Sequence, residues 1–151
     1  MLTELTLTAR EVRRGPNPPA GLSITLTYED RFLRRKRLIT DQGQAVLLDL
    51  AETTSLDHGD MLMLEDGRGV AIFAAPEALI EVTGNDLTRI AWHIGNRHTP
   101  CQIAEGRLLI REDHVMADML MRLGANVRRV TEPFTPEGGA YGHGRTHGHA
   151  H

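Results

Sequence analysis

Residues 78–132, ALIEVTGNDLTRIAWHIGNRHTPCQIAEGRLLIREDHVMADMLMRLGANVRRVTE, decide the fold of the second half of this 151-residue chain. The opening ALIEVTG is typical of a strand, and Asn85 or Asp86 then provides a helix N-cap. The apolar stripe of that helix has i, i+3, i+4, i+7 spacing and consists of Leu87, Ile90, Ala91 and Ile94. Gly95 and Pro100 bound the helix at its far end.

The remainder of this stretch adds two short strands, a second helix and a last strand. CQIAEGRLLIR contains the two strands, EDHVMADMLMRLGA the helix, and NVRRVTE the final strand. The predicted apolar face of the second helix consists of Val115, Met116, Met119, Leu120 and Leu123, with Gly124 at its C-cap. The order β-α-β-β-α-β is the ferredoxin-like arrangement, predicted here for residues 75–134, and this fold alone indicates no chemistry.

Residues 1–74 have the pattern of a small all-β domain. TELTLTAR and GLSITLTYE alternate apolar and polar residues, and QAVLLDL is a short apolar run. Two further apolar runs flank Asp66-Gly67-Arg68-Gly69, which predicts a hairpin. Residues 135–151 contain one large apolar side chain, Tyr141, so a disordered tail is expected. The predicted class is therefore α+β, with two small domains and a tail.

Composition excludes several classes of function. The net charge is −3, the sequence pI is about 6.2, and only six residues are aromatic. We therefore expect no binding to nucleic acid or to an anionic membrane surface. No run approaches the roughly 20 apolar residues of a spanning helix, and the N-terminus lacks the apolar core of a signal peptide. The single cysteine, Cys101, excludes an internal disulfide, and together these features predict a soluble cytoplasmic protein.

The strongest chemical signal is the C-terminal sequence GHGRTHGHAH. Its four histidines are His143, His147, His149 and His151. Imidazole is a borderline ligand for nickel, copper and zinc, and the interleaved small residues allow several rings to surround one ion. The alternative is a solvated linker or a cloning remnant, but a purification tag is more often a contiguous histidine run. The tail is therefore predicted to bind a transition metal.

Other candidate residues precede the tail. His98 lies three helical turns after Leu87 and is expected to continue the stripe of the first helix. Its position alone favours a helix-end histidine that is satisfied by a backbone carbonyl over a metal ligand. Cys101 could extend a metal site as a thiolate, although a small buried hydrophobe is favoured. His114 opens the second helix and is a weaker candidate. The basic run Arg31 to Arg37 is most simply a solvated strand face, with an acidic docking partner as the alternative.

Three separated segments resemble one known family. They are the segment from Ala91 to Ile103, the segment from Asp113 to Leu120, and the segment from Glu132 to Tyr141 that leads into the histidine-bearing tail. All three are similar to segments of the urease accessory protein E family, the nickel metallochaperones. The resemblance is specific over residues 76–151, and over residues 1–75 it rests on length and β character.

This resemblance implies a cytoplasmic homodimer with an N-terminal peptide-binding β domain and a ferredoxin-like metal-binding domain. It implies that His98 is a nickel ligand shared by two copies at the dimer interface, and that the tail supplies further ligands. It also implies delivery of Ni²⁺ to apo-urease together with the family's GTPase accessory protein, without catalysis by the chaperone. Cys101 stands where an apolar residue is expected, and Glu112 stands where some members carry another histidine.

Two other functions are compatible with these residue types. A general copper or zinc buffer would use the same ligands, because Cu²⁺ outcompetes Ni²⁺ at most nitrogen sites and Zn²⁺ also binds imidazole. A metal-dependent hydrolase would need three fixed ligands and a general base around an open position. The sequence offers one well-placed histidine and a tail, which makes the hydrolase the weakest of the three.

Overall fold

The computed structural model describes residues 6–138, and the chain divides into two compact units, Met1–Ala75 and Pro76–His151. The strands of the first unit are β1 (Leu7–Arg13), β2 (Leu22–Leu26), β3 (Phe32–Ile39), β4 (Ala45–Ser55), β5 (Met61–Leu64) and β6 (Gly69–Ala74). The second unit contains β7 (Pro76–Thr83), α1 (Leu87–Asn96), β8 (Gln102–Ala104), β9 (Arg107–Arg111), α2 (His114–Arg122) and β10 (Asn126–Pro133). The predicted ligands His143, His147, His149 and His151 lie outside the described residues.

The first unit is built on one mixed sheet with the strand order β2-β6-β5-β1-β4-β3. β1 pairs with β4 and β2 pairs with β6 in parallel, while the other neighbours are antiparallel. The predicted hairpin is confirmed, because β5 and β6 pair across Gly67, whose φ of 88° favours a residue without a side chain. Alternate strand residues form one core, which includes Ile24, Val46, Leu48, Leu62, Val70 and Ile72.

Two expectations for the first unit are corrected. The strand predicted over residues 21–29 ends at Leu26, since a 3-10 turn over Glu29–Arg31 follows it. The basic run is a solvated strand face from Arg34 to Arg37, but Arg31 is only 2% exposed. Its guanidinium donates to the carbonyl oxygens of Leu56 (3.0 Å) and Leu26 (2.9 Å), so Arg31 has a structural role.

The second unit has the order β-α-β-β-α-β and an antiparallel sheet in the order β10-β7-β9-β8. Both helices pack on one face of this sheet, because the core residues of β7 and β9 alternate. That core includes Ile80, Val82, Leu108 and Ile110 from the strands and Ile90, Ile94, Met116 and Leu120 from the helices. The predicted stripe of α1 is confirmed, with Leu87 and Ala91 packed against the same core.

The predicted apolar face of α2 is too wide. Met116 and Leu120 are buried, but Val115 is 58% exposed and Leu123 is 37% exposed. Val115 is the second residue of α2 and lies in its exposed first turn, and Leu123 is the C-cap residue beyond the last turn.

The C-terminal segment also departs from expectation. Composition predicts disorder from Thr135 onward, yet the backbone N–H groups of Thr135 and Glu137 donate to Gln102 Oε1 and to the Cys101 carbonyl oxygen, both at 2.9 Å. Composition missed this because hydrogen bonds from the backbone do not depend on apolar side chains.

Candidate functional site

His98 lies just beyond the end of α1. The prediction that it continues the apolar stripe is wrong, because the helix ends at Asn96. Thr99 precedes Pro100, and a residue before proline is disfavoured in the helical region. The chain instead turns at His98, which has a φ of 57°. The N–H of His98 donates to Gly95 O (2.9 Å) and that of Thr99 donates to Ile94 O (3.4 Å), which is the Schellman pattern.

The left-handed position of this motif usually holds glycine, because any side chain is strained there. α2 ends in the same way with Gly124, whose φ is 88° and whose N–H donates to Met121 O (3.0 Å). His98 therefore occupies the glycine position of α1. Its side chain is exposed and projects from the turn, not from the helix surface. A strained residue that is not glycine is a reason to look for a function of its side chain.

His98 lines a surface pocket of about 390 Å³ together with Glu112 and Asp113. The topology explains this meeting. Leu79, near the start of β7, pairs with Arg111 at the end of β9, and α1 returns toward the same end of the sheet. The end of α1 and the start of α2 are therefore neighbours. Sequence reasoning missed the two carboxylates as neighbours of His98, because they lie fourteen and fifteen residues further along the chain.

Both carboxylates are held in place by other groups. Glu112 Oε2 accepts a hydrogen bond from Arg129 at 2.6 Å, and Asp113 Oδ1 caps α2 by accepting from the N–H groups of Val115 (2.9 Å) and Met116 (3.2 Å). The Thr99 hydroxyl donates to Met116 Sδ at 3.8 Å, which ties the His98 turn to α2. The pocket is therefore lined by His98 and by two carboxylates that accept hydrogen bonds from other groups, with Arg111 also in its lining.

One chain does not complete a metal site within residues 6–138. Across that part of the chain, no three or more His, Cys, Asp or Glu side chains are grouped so that they could hold a metal ion. An ion at His98 would therefore need further ligands from residues beyond this range, from a second chain, or from water.

Cys101 is half-buried and packs against the core of the second unit. Burial raises the pKa of its thiol to about 11, and the nearby Glu137 carboxylate adds to the rise. The thiol is therefore protonated near neutral pH, whereas metals bind the thiolate. These observations favour packing over ligation for Cys101.

The other described histidines differ in their surroundings. His114 is exposed and lines a second pocket, of about 400 Å³, which shares Glu112 and Asp113 with the first. His93 packs edge-on against Trp92, with ring centroids 5.1 Å apart. His58 Nδ1 accepts a hydrogen bond from the Ala74 N–H at 3.1 Å, which is a structural contact. Because the pocket of His114 contains the same two carboxylates, His114 is the second candidate metal ligand after His98.

The described helices include none long and apolar enough to cross a membrane.

Family models match both halves of the chain. Residues 3–75 match the N-terminal domain of the UreE urease accessory protein, and residues 77–151 match its C-terminal domain.

Individual proteins are similar over nearly the whole chain. Urease accessory protein UreE of Ruegeria pomeroyi is 68% identical over 143 residues, covering 94% of this chain and 96% of the relative. The protein of the same name from Cereibacter sphaeroides is 56% identical over 151 residues, covering 99% of this chain and 82% of the relative. The protein of the same name from Rhodobacter capsulatus is 59% identical over 128 residues, covering 85% of this chain and 81% of the relative.

Proposed function

The chain belongs to the urease accessory protein UreE family, and from that premise we propose that it is a nickel metallochaperone. It binds Ni²⁺ as cargo and delivers it to apo-urease during assembly of the urease active site, with the GTPase accessory protein as a partner. It acts in the cytoplasm as a homodimer and is not an enzyme. Its second unit is a ferredoxin-like metal-binding domain, as its strand order supports, and its first unit is a peptide-binding-like domain.

The observation that carries this proposal is the placement of His98. His98 stands exposed at a strained turn and shares a pocket with two hydrogen-bonded carboxylates, in a chain whose described part completes no metal site. A two-fold axis near His98 would present the same imidazole twice, so that two chains share one ion. Two imidazoles leave most coordination positions of nickel open, and His143, His147, His149 and His151 are proposed to enter there.

This arrangement suits delivery better than catalysis. Histidines on a tethered tail bind at a local concentration on the order of millimolar, so they can leave one at a time as ligands of another protein enter. A hydrolase would need three fixed ligands and a general base, and residues 6–138 offer no such group. The same ligands accept copper and zinc, so selection of nickel depends on metal supply and on partner docking.

The central test is a nickel titration by calorimetry of a chain ending at Tyr141. We expect one tight ion for every two chains, and loss of that site from both chains in His98→Ala. His93→Ala is the matched control, because His93 lies on α1 five residues before His98 but does not line the pocket. Dimer content is measured in parallel by light scattering.

Delivery is tested separately by activation of apo-urease at limiting nickel with the other accessory proteins present. His98→Ala should activate less urease than the unaltered chain, while His93→Ala should not differ from it. One independent ion per chain, or equal binding by His98→Ala, would refute the shared site. Full activation by His98→Ala would refute the delivery role and leave a metal buffer as the better description.

A further inference from the structure

We propose that residues Phe134–Glu137 anchor the root of the C-terminal tail beside the turn that carries His98, with Phe134 and Gln102 as positioning residues. The inference rests on the proposed function, because it explains how the tail histidines are kept near His98. The anchor would act before any metal binds.

The anchor begins where β10 ends. β10 pairs with β7 along its whole length, up to the Pro133–Pro76 pair. Near that end, Arg107 on β9 forms two hydrogen bonds with the Glu132 carboxylate, both at 2.8 Å. The chain is therefore held firmly up to residue 133.

Phe134 then fixes the direction of the chain. It is fully buried, with 0% exposure, although the residues on both sides of it are exposed. It is the one large apolar side chain between Thr131 and Gly138. Burial of such a ring in an otherwise polar stretch indicates a docked segment, because releasing it would expose apolar surface to water.

Two hydrogen bonds then hold the chain beside the start of β8. The Thr135 N–H donates to Gln102 Oε1 and the Glu137 N–H donates to the Cys101 carbonyl oxygen, both at 2.9 Å. Cys101 and His98 are three residues apart, so their Cα atoms lie within about 11 Å of each other. The tail therefore leaves the folded unit close to the proposed metal ligand.

The number of residues between the anchor and His143 determines how much the anchor raises the local concentration of the tail histidines near His98. His143 follows Glu137 by six residues, and a flexible stretch of that length has an end-to-end distance of about 13 Å. If the anchor were released, the last held residue would be Pro133, ten residues before His143. Local concentration falls roughly as the −3/2 power of tether length, which predicts a loss of about twofold. A twelve-residue Gly-Ser insertion after Gly138 lengthens the tether from six to eighteen residues and predicts a loss of about fivefold.

The first experiment tests the anchor without metal. A spin label is attached at Gly138→Cys in a Cys101→Ala background, and paramagnetic broadening of the amides of residues 99–104 is measured by NMR. We expect strong broadening that Gln102→Ala reduces and that Gln102→Ala with Phe134→Ala reduces further. Gln102→Glu should retain it, because it keeps an acceptor oxygen. Absence of broadening in the labelled parent, or broadening of undiminished strength in the double variant, would overturn the anchor.

The second experiment measures the gain in nickel affinity that the tail provides, as the full chain compared with the chain ending at Tyr141. The anchor variants should lower that gain by at least twofold and the insertion by about fivefold, with affinities of the truncated chains unchanged. If the anchor variants lose broadening but keep the full gain in nickel affinity, the positioning role of Phe134 and Gln102 is overturned. No gain in the parent, with the label still beside residues 99–104, refutes instead the proposed function of the tail histidines and with it this inference.

Discussion

His98 combines two properties that rarely occur together, a left-handed backbone and an exposed imidazole in a lined pocket. The matching position of α2 is Gly124, and a Cβ built there would meet no atom within 4 Å. Comparison of the two helix ends therefore distinguishes the backbone strain at this position from the function of the side chain that occupies it. At His98 the strain is retained, and the imidazole projects from the turn beside Glu112 and Asp113.

Replacing His98 with glycine should stabilise the metal-free protein while removing the tightest nickel site. Relief of the left-handed strain predicts a gain of about 1 kcal/mol in the free energy of unfolding. His98→Ala should give no such gain, because alanine is strained there too, and its own cost should not exceed about 1 kcal/mol. Urea denaturation in the presence of a chelator measures these changes.

Gly124→Ala is the control for this prediction and should destabilise by about 1 kcal/mol, since it introduces the strain that His98→Gly removes. A stability loss in His98→Gly would mean that the imidazole makes structural contacts that outweigh the strain.

Cys101 should react slowly in the folded protein. Its thiol pKa is raised from 9.0 to about 11, so at pH 8 we expect alkylation by iodoacetamide about a hundredfold slower than in urea. Because the folded pKa is the higher one, this group stabilises the fold below pH 9 and loses that contribution as pH rises toward 11. Alkylation at equal rates in the two states would restore Cys101 as a candidate ligand.

At the scale of elements, the start of α2 serves both stability and the site. Asp113 accepts two backbone hydrogen bonds as N-cap, whereas Asp86 at the start of α1 accepts one, from the Arg89 N–H at 3.2 Å. The requirement to cap α2 thus also places a carboxylate in the His98 pocket. An N-cap is recognisable from sequence, whereas the place of Asp113 in the His98 pocket is visible only in the folded structure.

Asp113→Ala should lower the free energy of unfolding by about 1 kcal/mol, because two N–H groups of α2 lose their acceptor. Asp113→Asn should be nearly neutral for stability, since asparagine caps equally well but carries no charge. Thermal denaturation of the metal-free chain measures both.

Nickel titration of Asp113→Ala and Asp113→Asn then measures how the carboxylate charge affects nickel binding. Weaker binding by Asp113→Asn at unchanged stability would assign the carboxylate an electrostatic role at His98. Equal stability of Asp113→Ala and the unaltered chain would contradict the capping role.

At the scale of the whole molecule, metal loading should depend steeply on pH. Imidazole binds metal only when it is neutral, so protons compete with nickel for each imidazole ligand. We expect apparent nickel affinity to fall as the solution is acidified below neutral pH, with a slope approaching two protons per ion for a site shared by two copies of His98. Calorimetric titration of the chain ending at Tyr141 across this range measures the slope.

A slope near one would indicate a single imidazole per ion. A flat profile would indicate carboxylate or thiolate ligands, and would return attention to Glu112, Asp113 and Cys101.

The element order of the second unit and the hairpin of the first were predictable from sequence, because caps, glycine turns and apolar spacing act over a few residues. Asp86 and Gly67 illustrate this, since each takes the predicted place through contacts within its own element or turn. The three family segments were likewise readable as strings of residue types, and the family models match across them.

Tertiary structure alone decided which residues meet. The pairing of Leu79 with Arg111 brings Glu112 and Asp113 to His98, Arg31 is buried by carbonyl oxygens of two separate segments, and Phe134 docks a stretch whose composition predicts disorder. Each of these contacts joins residues far apart in the chain or depends on the space left by packed neighbours. Patterns of neighbouring residues do not specify which distant residues come together, so the sequence determined the elements and named candidate ligands, and packing determined which of these candidates lie beside one another.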